Sequence, residues 1–203
     1  MRHGESEPYV DGQPFALVGG QGDPPLSEHG EEQAQRVCAR LSGEPIRAIY
    51  VTTLRRTAQT AAPLGAELGL DLRLEPDLRE VHLGDWEGGV YRKMVAEAHP
   101  IVLTSFAEER WDVIPGAESN SALADRVRAA VERIAARHPG ERVAAFTHGG
   151  VIGQVLSLAS GSRPFAFLGA GNASISRLVI TPGRWIVRSY NDTAHVDDMV
   201  LSV

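Results

Sequence analysis

Residues 142–153 read RVAAFTHGGVIG, and this stretch decides the fold. Its first half is an apolar run of strand length, and it passes through Thr147-His148-Gly149-Gly150 straight into a helical pattern. Residues 46–52, IRAIYVT, behave in the same way ahead of LRRTAQTAA. A buried strand followed directly by a helix, twice over, predicts an α/β protein with a mostly parallel central sheet flanked by helices. His148 then falls at the carboxyl end of a strand and at the start of a helix, where open α/β sheets place their ligands. The two glycines after it let the backbone approach a bound group, and the helix start offers free N–H donors to an anion.

Working outward, the 203 residues suffice for one such domain, expected to span 1–203, and not for two. With 43% hydrophobic and 23% charged residues, the composition is that of a chain that folds. The 20 Lys and Arg against 26 Asp and Glu leave a net charge of −6, which speaks against a broad nucleic-acid-binding surface. Cys38 is the single cysteine, so neither an intramolecular disulfide nor a cysteine zinc cluster is available. No apolar run approaches the roughly 18 residues of a membrane span, and the opening MRHGESEPYVDG lacks the apolar stretch of a signal peptide. A cytoplasmic protein without a membrane partner is expected, and a homodimer is compatible with the sequence.

Ser27, after Pro24-Pro25, is placed to cap a helix in which Ala34, Val37, Cys38 and Leu41 recur at helical spacing before Gly43. From Ser119 to His138, Leu123, Val127, Ala130 and Ile134 form an apolar stripe that Pro139-Gly140 ends. Near the C-terminus, ASISRLVI and RWIVRSY flank TPGR and predict an antiparallel hairpin added to the sheet. Residues 84–118 mix short helical pieces with Gly and Pro and read as an excursion, or cap, over the site.

Besides residues 147–150, two segments put cationic or imidazole nitrogens where elements begin or end: Arg2-His3-Gly4-Glu5, and the stretch from Leu54 to Ala61. In the latter, an arginine near a helix start is poorly placed relative to the helix dipole unless it serves an anion. Arg55 and Arg56 point about 100° apart, so one of the two is a solvated surface arginine. His29, His99 and His138 have no metal-ligand spacing, His82 and His195 read as surface and structural residues, and Trp86 and Trp111 read as packing residues.

Together these segments resemble the histidine phosphatase superfamily, the phosphoglycerate mutase-like proteins. The family opens on RHG with an acidic residue and Ser or Thr, here Arg2 to Ser6. Its S-x-L-x-R-A-x-Q-T-A segment matches residues 52–61 and selects Arg56 over Arg55. Its L-x-E-x-x-x-G-x-W-E-G segment matches residues 78–88, LREVHLGDWEG, and selects Glu80. The S/T-H-G-G motif is residues 147–150, and the late N-A-S-I-S and N-D-T-x-H lie at 172–176 and 191–195.

The resemblance implies a phosphatase acting on small phosphomonoesters through a phosphohistidine on His3, with no metal and no cofactor. It implies that Arg2 and Arg56 hold the phosphoryl oxygens, with His148 and Gly149 adding donors, and that Glu80 supplies and removes the proton. The flanking cations are expected to lower the pKa of His3, and a neighbouring phosphate to favour the neutral acid form of Glu80. A cofactor-dependent mutase-type phosphotransferase on the same fold is the alternative, and a catalytically silent phospho-ligand or protein-binding module a further one. Retention of Glu80 disfavours the last.

Two departures from the family pattern stand out. Met1 occupies the place where the family's first strand would be ending, which predicts that His3 is loosely held and that upstream in-frame residues would raise stability and activity. Between Glu5 and Pro25 the usual Asn after RHG and Arg before Q-G are absent, although Gln21-Gly22 remains. Substrate recognition there is expected to differ. The resemblance to a mutase would also require extra cations for a carboxylate and a second phosphate, for which Arg92, Lys93 and Arg110 of the excursion are the candidates, although each reads first as a solvated charge.

Overall fold

A computed structural model describes residues 1–197. The chain runs through β1 (Leu17–Val18), β2 (Gln21–Gly22), α1 (Glu28–Leu41), β3 (Ile46–Val51), α2 (Arg55–Leu68) and β4 (Leu72–Leu74). It continues with α3 (Val90–Ala96), α4 (Pro100–Glu108), α5 (Asn120–Arg137), β5 (Arg142–Ala145), α6 (Gly149–Ser160), β6 (Ile175–Thr181) and β7 (Arg184–Asp192). β3 lies between β4 and β5 and runs parallel to both.

Alternation along β3 builds the two helical layers. Ile49 and Val51 pack with Val37 and Leu41 of α1 and Ala61 and Leu64 of α2. Ala48 and Tyr50 face the other way, onto Leu123, Val127 and Ala130 of α5 and Val151 of α6. This is an α/β fold with helices on both faces of a parallel sheet. Each fully buried aliphatic side chain in these layers contributes roughly 1.5–3 kcal/mol.

The helix ends follow from local chemistry. Ser27 Oγ accepts from Gly30 N at 3.1 Å, and Ser119 Oγ accepts from Ala122 N at 3.2 Å, so both predicted caps are made. Cys38 is half-buried against the core. α1 also lies against the RHG loop: a Cβ on Gly30 would sit 1.9 Å from the Glu5 carbonyl oxygen, so only glycine admits this contact. No helix among the described residues is long and apolar enough to cross a membrane.

The C-terminal hairpin corrects one expectation. β6 and β7 pair antiparallel, but they form a two-stranded sheet of their own. Residues 1–3 join it to the parallel sheet. Arg2 N donates to Ser174 O at 3.1 Å on one side, while Thr147 N donates to Met1 O at 2.8 Å and His3 N to Thr147 O at 3.0 Å on the other. One bridge, Arg2 to Thr147, is too short a ladder to merge the two sheets.

Candidate active site

His3 is tightly fixed, contrary to the expectation from so short an N-terminal segment. Its backbone N–H reaches Thr147, and its carbonyl accepts from Ala173 N at 3.1 Å and from Asn172 Nδ2 at 3.2 Å. Its ring Nδ1 lies 2.6 Å from Gly4 O. A carbonyl can only accept, so Nδ1 carries the proton and Nε2 presents its lone pair. That lone pair faces Arg56, whose Nε donates to it at 3.2 Å. A positively charged donor against Nε2 requires a neutral ring.

The electrostatics agree with that tautomer. The pKa of His3 is held well below the usual value of 6.5, first by burial and then by Arg56 and Arg2. Burial therefore outranks the cations expected to cause the shift. His148 is completely buried and shifted in the same direction, by desolvation and then by Arg56, His3 and Arg2. Its ring lies 5.1 Å from that of His3 between centroids. Nε2 of His148 is 3.0 Å from Thr52 Oγ1, and Nδ1 has no partner among the described residues. When the Thr52 hydroxyl donates to Nε2, the proton of His148 sits on Nδ1 and can be given to an anion; when it donates to Thr57 Oγ1 instead, Nε2 carries the proton.

These two imidazoles make stability depend on pH. In the unfolded chain they protonate near 6.5, whereas in the folded chain they stay neutral to well below it. The unfolded state therefore binds more protons in that window, so stability rises with pH there. The full contribution is present above about pH 6.5 and is lost as the pH falls below it, by up to about 1.4 kcal/mol per pH unit per ring. Thermal melts in phosphate-free buffer at pH 7.5 and pH 5 are expected to show a lower Tm at pH 5. An unchanged Tm would mean that both rings protonate freely inside the fold.

Arg56 is buried, its pKa lowered to about 10 by desolvation against the opposing pull of Glu80 and Asp23, so it stays cationic at neutral pH. Arg55 turns away and is half exposed. Asp23, which sequence reasoning missed, ties down the start of α2: it accepts from Arg55 N at 2.7 Å and Arg55 Nε at 2.8 Å, and lies 4.0 Å from Arg56. Arg2 donates to Ala170 O at 2.5 Å, and its buried Nε has no partner among the described residues.

Glu80 lines the same cavity as Arg2, His3 and Arg56. Its carboxylate accepts from Val81 N at 2.9 Å and, more weakly, from Gly150 N at 3.4 Å at the start of α6. A Cβ on Gly150 would fall 2.6 Å from Val81 Cγ2 and 2.7 Å from Glu80 Oε1, so the second glycine of the THGG motif makes room for both side chains. Gly150 lines the cavity, and Gly149 is not among its lining residues. The backbone of Glu80 is held by Gln21 Nε2 at 2.7 Å and by Arg126 of α5. Arg126 spends all five of its N–H donors here: on the carbonyls of Asp77, Arg79 and Glu80, and twice on Glu118. A helical arginine between core residues gives no sign of this in the sequence.

The cavity holds about 250 Å³, enough for a small leaving group beside a phosphoryl group. Arg2, His3, Arg56, Glu80 and Gly150 form one part of its lining, and Phe15, Trp86, Tyr91, Arg92 and Trp111 another. Both tryptophans are thus packing residues and wall residues at once. Burial and Glu80 push the Tyr91 phenol up to about 12, so it remains a neutral donor. Among the described residues no group of three or more His, Cys, Asp or Glu is arranged to hold a metal ion. His29, His82 and His99 are engaged in local hydrogen bonds, His138 with the Tyr50 hydroxyl, and His195 with the Ala173 carbonyl.

The sequence model of the histidine phosphatase superfamily (branch 1) matches residues 1–193. The chain belongs to this superfamily. Among its relatives within the histidine phosphatases, it is 36% identical to phosphoglycerate mutase-like protein 4 of Arabidopsis thaliana, with 98% of this chain and 86% of the relative covered. It is 35% identical to the metal-independent phosphoserine phosphatase of Arabidopsis thaliana, covering 98% and 82%. The native structure of a mycobacterial glucosyl-3-phosphoglycerate phosphatase superposes with a TM-score of 0.76 at 30% identity, covering 94% of this chain and 95% of that one.

Where this chain departs from the family motifs, one cation of the excursion lies at the cavity. Of the three candidates, Arg92 lines the cavity, whereas Lys93 pairs with Asp11, and Arg110 with Glu108 and Asp112, outside it.

Proposed function

We propose that the protein is a phosphatase that hydrolyses small phosphomonoesters through a phosphohistidine at His3. The observation that carries this reading is the state of His3: neutral, unprotonated at Nε2, and directed at Arg56 in the cavity that both line. Nε2 forms a bond to phosphorus as the ester oxygen leaves with its electron pair, and Glu80 in its acid form gives that oxygen a proton. Arg2, Arg56 and Nδ1 of His148 hold the three phosphoryl oxygens while charge accumulates on them. A water then attacks phosphorus, gives a proton to the Glu80 carboxylate, and the P–N bond breaks to return neutral His3 and free phosphate.

The names of the relatives support a phosphomonoester substrate and divide between hydrolysis and mutase chemistry. A mutase would use the same phosphohistidine and pass the group to a second hydroxyl instead of water. The test is the release of inorganic phosphate from p-nitrophenyl phosphate and from small alkyl phosphomonoesters, in EDTA and without any bisphosphoglycerate. Steady release is the expected result. No release, with interconversion of 2- and 3-phosphoglycerate once bisphosphoglycerate is added, would replace this reading by the mutase.

A further inference from the structure

Tyr91, the second residue of α3, brings to the cavity a hydroxyl that the phosphoryl chemistry has not used. Its ring is held by two buried tryptophans, Trp86 at 6.3 Å and Trp111 at 6.2 Å between ring centroids, and Trp111 is braced in turn by Phe165 at 4.8 Å. Packing of this kind fixes the ring. A phenol oxygen away from bulk water usually finds a partner. Those of Tyr50 and Tyr190 do, His138 Nε2 at 3.0 Å and the Phe167 carbonyl at 3.0 Å. That of Tyr91 has no hydrogen bond among the described residues, in a wall that opens onto the cavity.

Glu80 is the charge that acts on this hydroxyl: burial and then the carboxylate keep the phenol neutral throughout the neutral range. A neutral phenol oxygen accepts a hydrogen bond as well as donating one. The carboxylate also has room for a further contact. Oε1 accepts from Val81 N and Oε2 from Gly150 N, one bond to each oxygen, where each can take two. A tyrosine hydroxyl and a carboxylate that line the same cavity as the nucleophile thus offer two acceptors to a molecule with two protons to give.

We propose that Tyr91 and Glu80 together seat the water that hydrolyses the phosphohistidine, and that Tyr91 thereby selects water over an alcohol as the phosphoryl acceptor. This rests on the phosphatase reading and adds how its acceptor is chosen. The water oxygen bonds to phosphorus as the P–N bond breaks and its electron pair returns to Nε2 of His3. One water proton passes to the Glu80 carboxylate. The other stays on the attacking oxygen and is donated as a hydrogen bond to the Tyr91 oxygen. An alcohol has a single hydroxyl proton, so it satisfies Glu80 and leaves Tyr91 without a donor, with a carbon substituent where the second proton would be. Tyr91 therefore acts in the second displacement and not in the first.

The test compares wild type with Tyr91→Phe, which keeps the ring and its packing, in rapid-quench single turnovers of p-nitrophenyl phosphate, in water and in molar glycerol. Release of p-nitrophenol reads formation of the phosphohistidine. Early products, resolved by ³¹P NMR, read its partition between inorganic phosphate and glycerol phosphate. In Tyr91→Phe, formation is expected to stay within about twofold of wild type, hydrolysis of the phosphoenzyme to slow by about 10–10²-fold, and the ratio of glycerol phosphate to phosphate to rise by about tenfold. Equal slowing of both steps would make Tyr91 a wall residue, and an unchanged product ratio would remove its part in choosing the acceptor, so either result overturns the proposal. A Tyr91→Phe protein that hydrolyses its phosphoenzyme as fast as wild type overturns it too, and leaves the phosphatase reading intact. A wild type that releases no inorganic phosphate sinks that reading, and this one with it.

Discussion

His3→Ala is expected to abolish phosphomonoesterase activity, lowering turnover of p-nitrophenyl phosphate by roughly four to six orders of magnitude. On the proposed mechanism the substitution removes the group through which the two displacements are linked. Arg2, Arg56, His148 and Glu80 would still bind phosphate and still offer a proton, but water would have to attack the ester directly. The fold should survive. Gly4 O loses its donor and Arg56 Nε its acceptor, a cost of about 1–3 kcal/mol for buried groups left unpaired, or a Tm lower by several degrees in a chain of this size. Wild-type enzyme quenched during turnover of ³²P-labelled substrate should carry an acid-labile, base-stable label that the variant lacks. A folded His3→Ala protein that retains turnover, or labels equally, would remove His3 from the mechanism.

The parts of this molecule that were legible in the sequence are those governed by local chemistry. α5 is the plainest case: its buried Leu123, Val127, Ala130 and Ile134 are fixed by helical spacing, its start by the Ser119 hydroxyl, and its end by Pro139-Gly140. The parallel sheet followed from two strands that each feed a helix, 46–51 and 142–145. Alternation in β6 and β7 revealed a hairpin, but which sheet it joins depends on residues 1–3, about 170 positions away, and no local pattern encodes that.

The site divides along the same line. The motifs brought Arg2, His3, Arg56, Glu80 and His148 to notice, and the fold places them around one cavity or beside it. They did not show which arginine of the excursion faces inward, because Arg92 and Lys93 are adjacent and both read as solvated charges. They also favoured Gly149, whereas the steric demand falls on Gly150, set by the side chains of Glu80 and Val81. Asp23 and Arg126 escaped notice for a related reason. A charged side chain is buried by its partners, and those partners arrive from distant loops.

Glu80→Gln is expected to separate substrates by their leaving groups. An alkoxide is a poor leaving group and needs the proton of Glu80 as the ester bond breaks, so hydrolysis of alkyl phosphates should fall by roughly 10²–10⁴. p-Nitrophenolate leaves as a stable anion and needs no proton. Formation of the phosphohistidine from p-nitrophenyl phosphate should therefore be nearly preserved, while its hydrolysis, which requires a base to activate water, slows by a similar factor. The signature is a burst of about one p-nitrophenol per enzyme, followed by slow turnover and build-up of phosphoenzyme. Glutamine keeps the shape and the acceptor for Val81 N, and the backbone contacts to Gln21 and Arg126 are untouched, so loss of folding is not the expected cause. Equal slowing of the burst and of alkyl phosphate hydrolysis would show that residue 80 shapes the pocket without moving a proton. The hydrogen bond from Arg126 to its backbone carbonyl would then serve the architecture of the loop, and the acid would have to be sought elsewhere in the cavity.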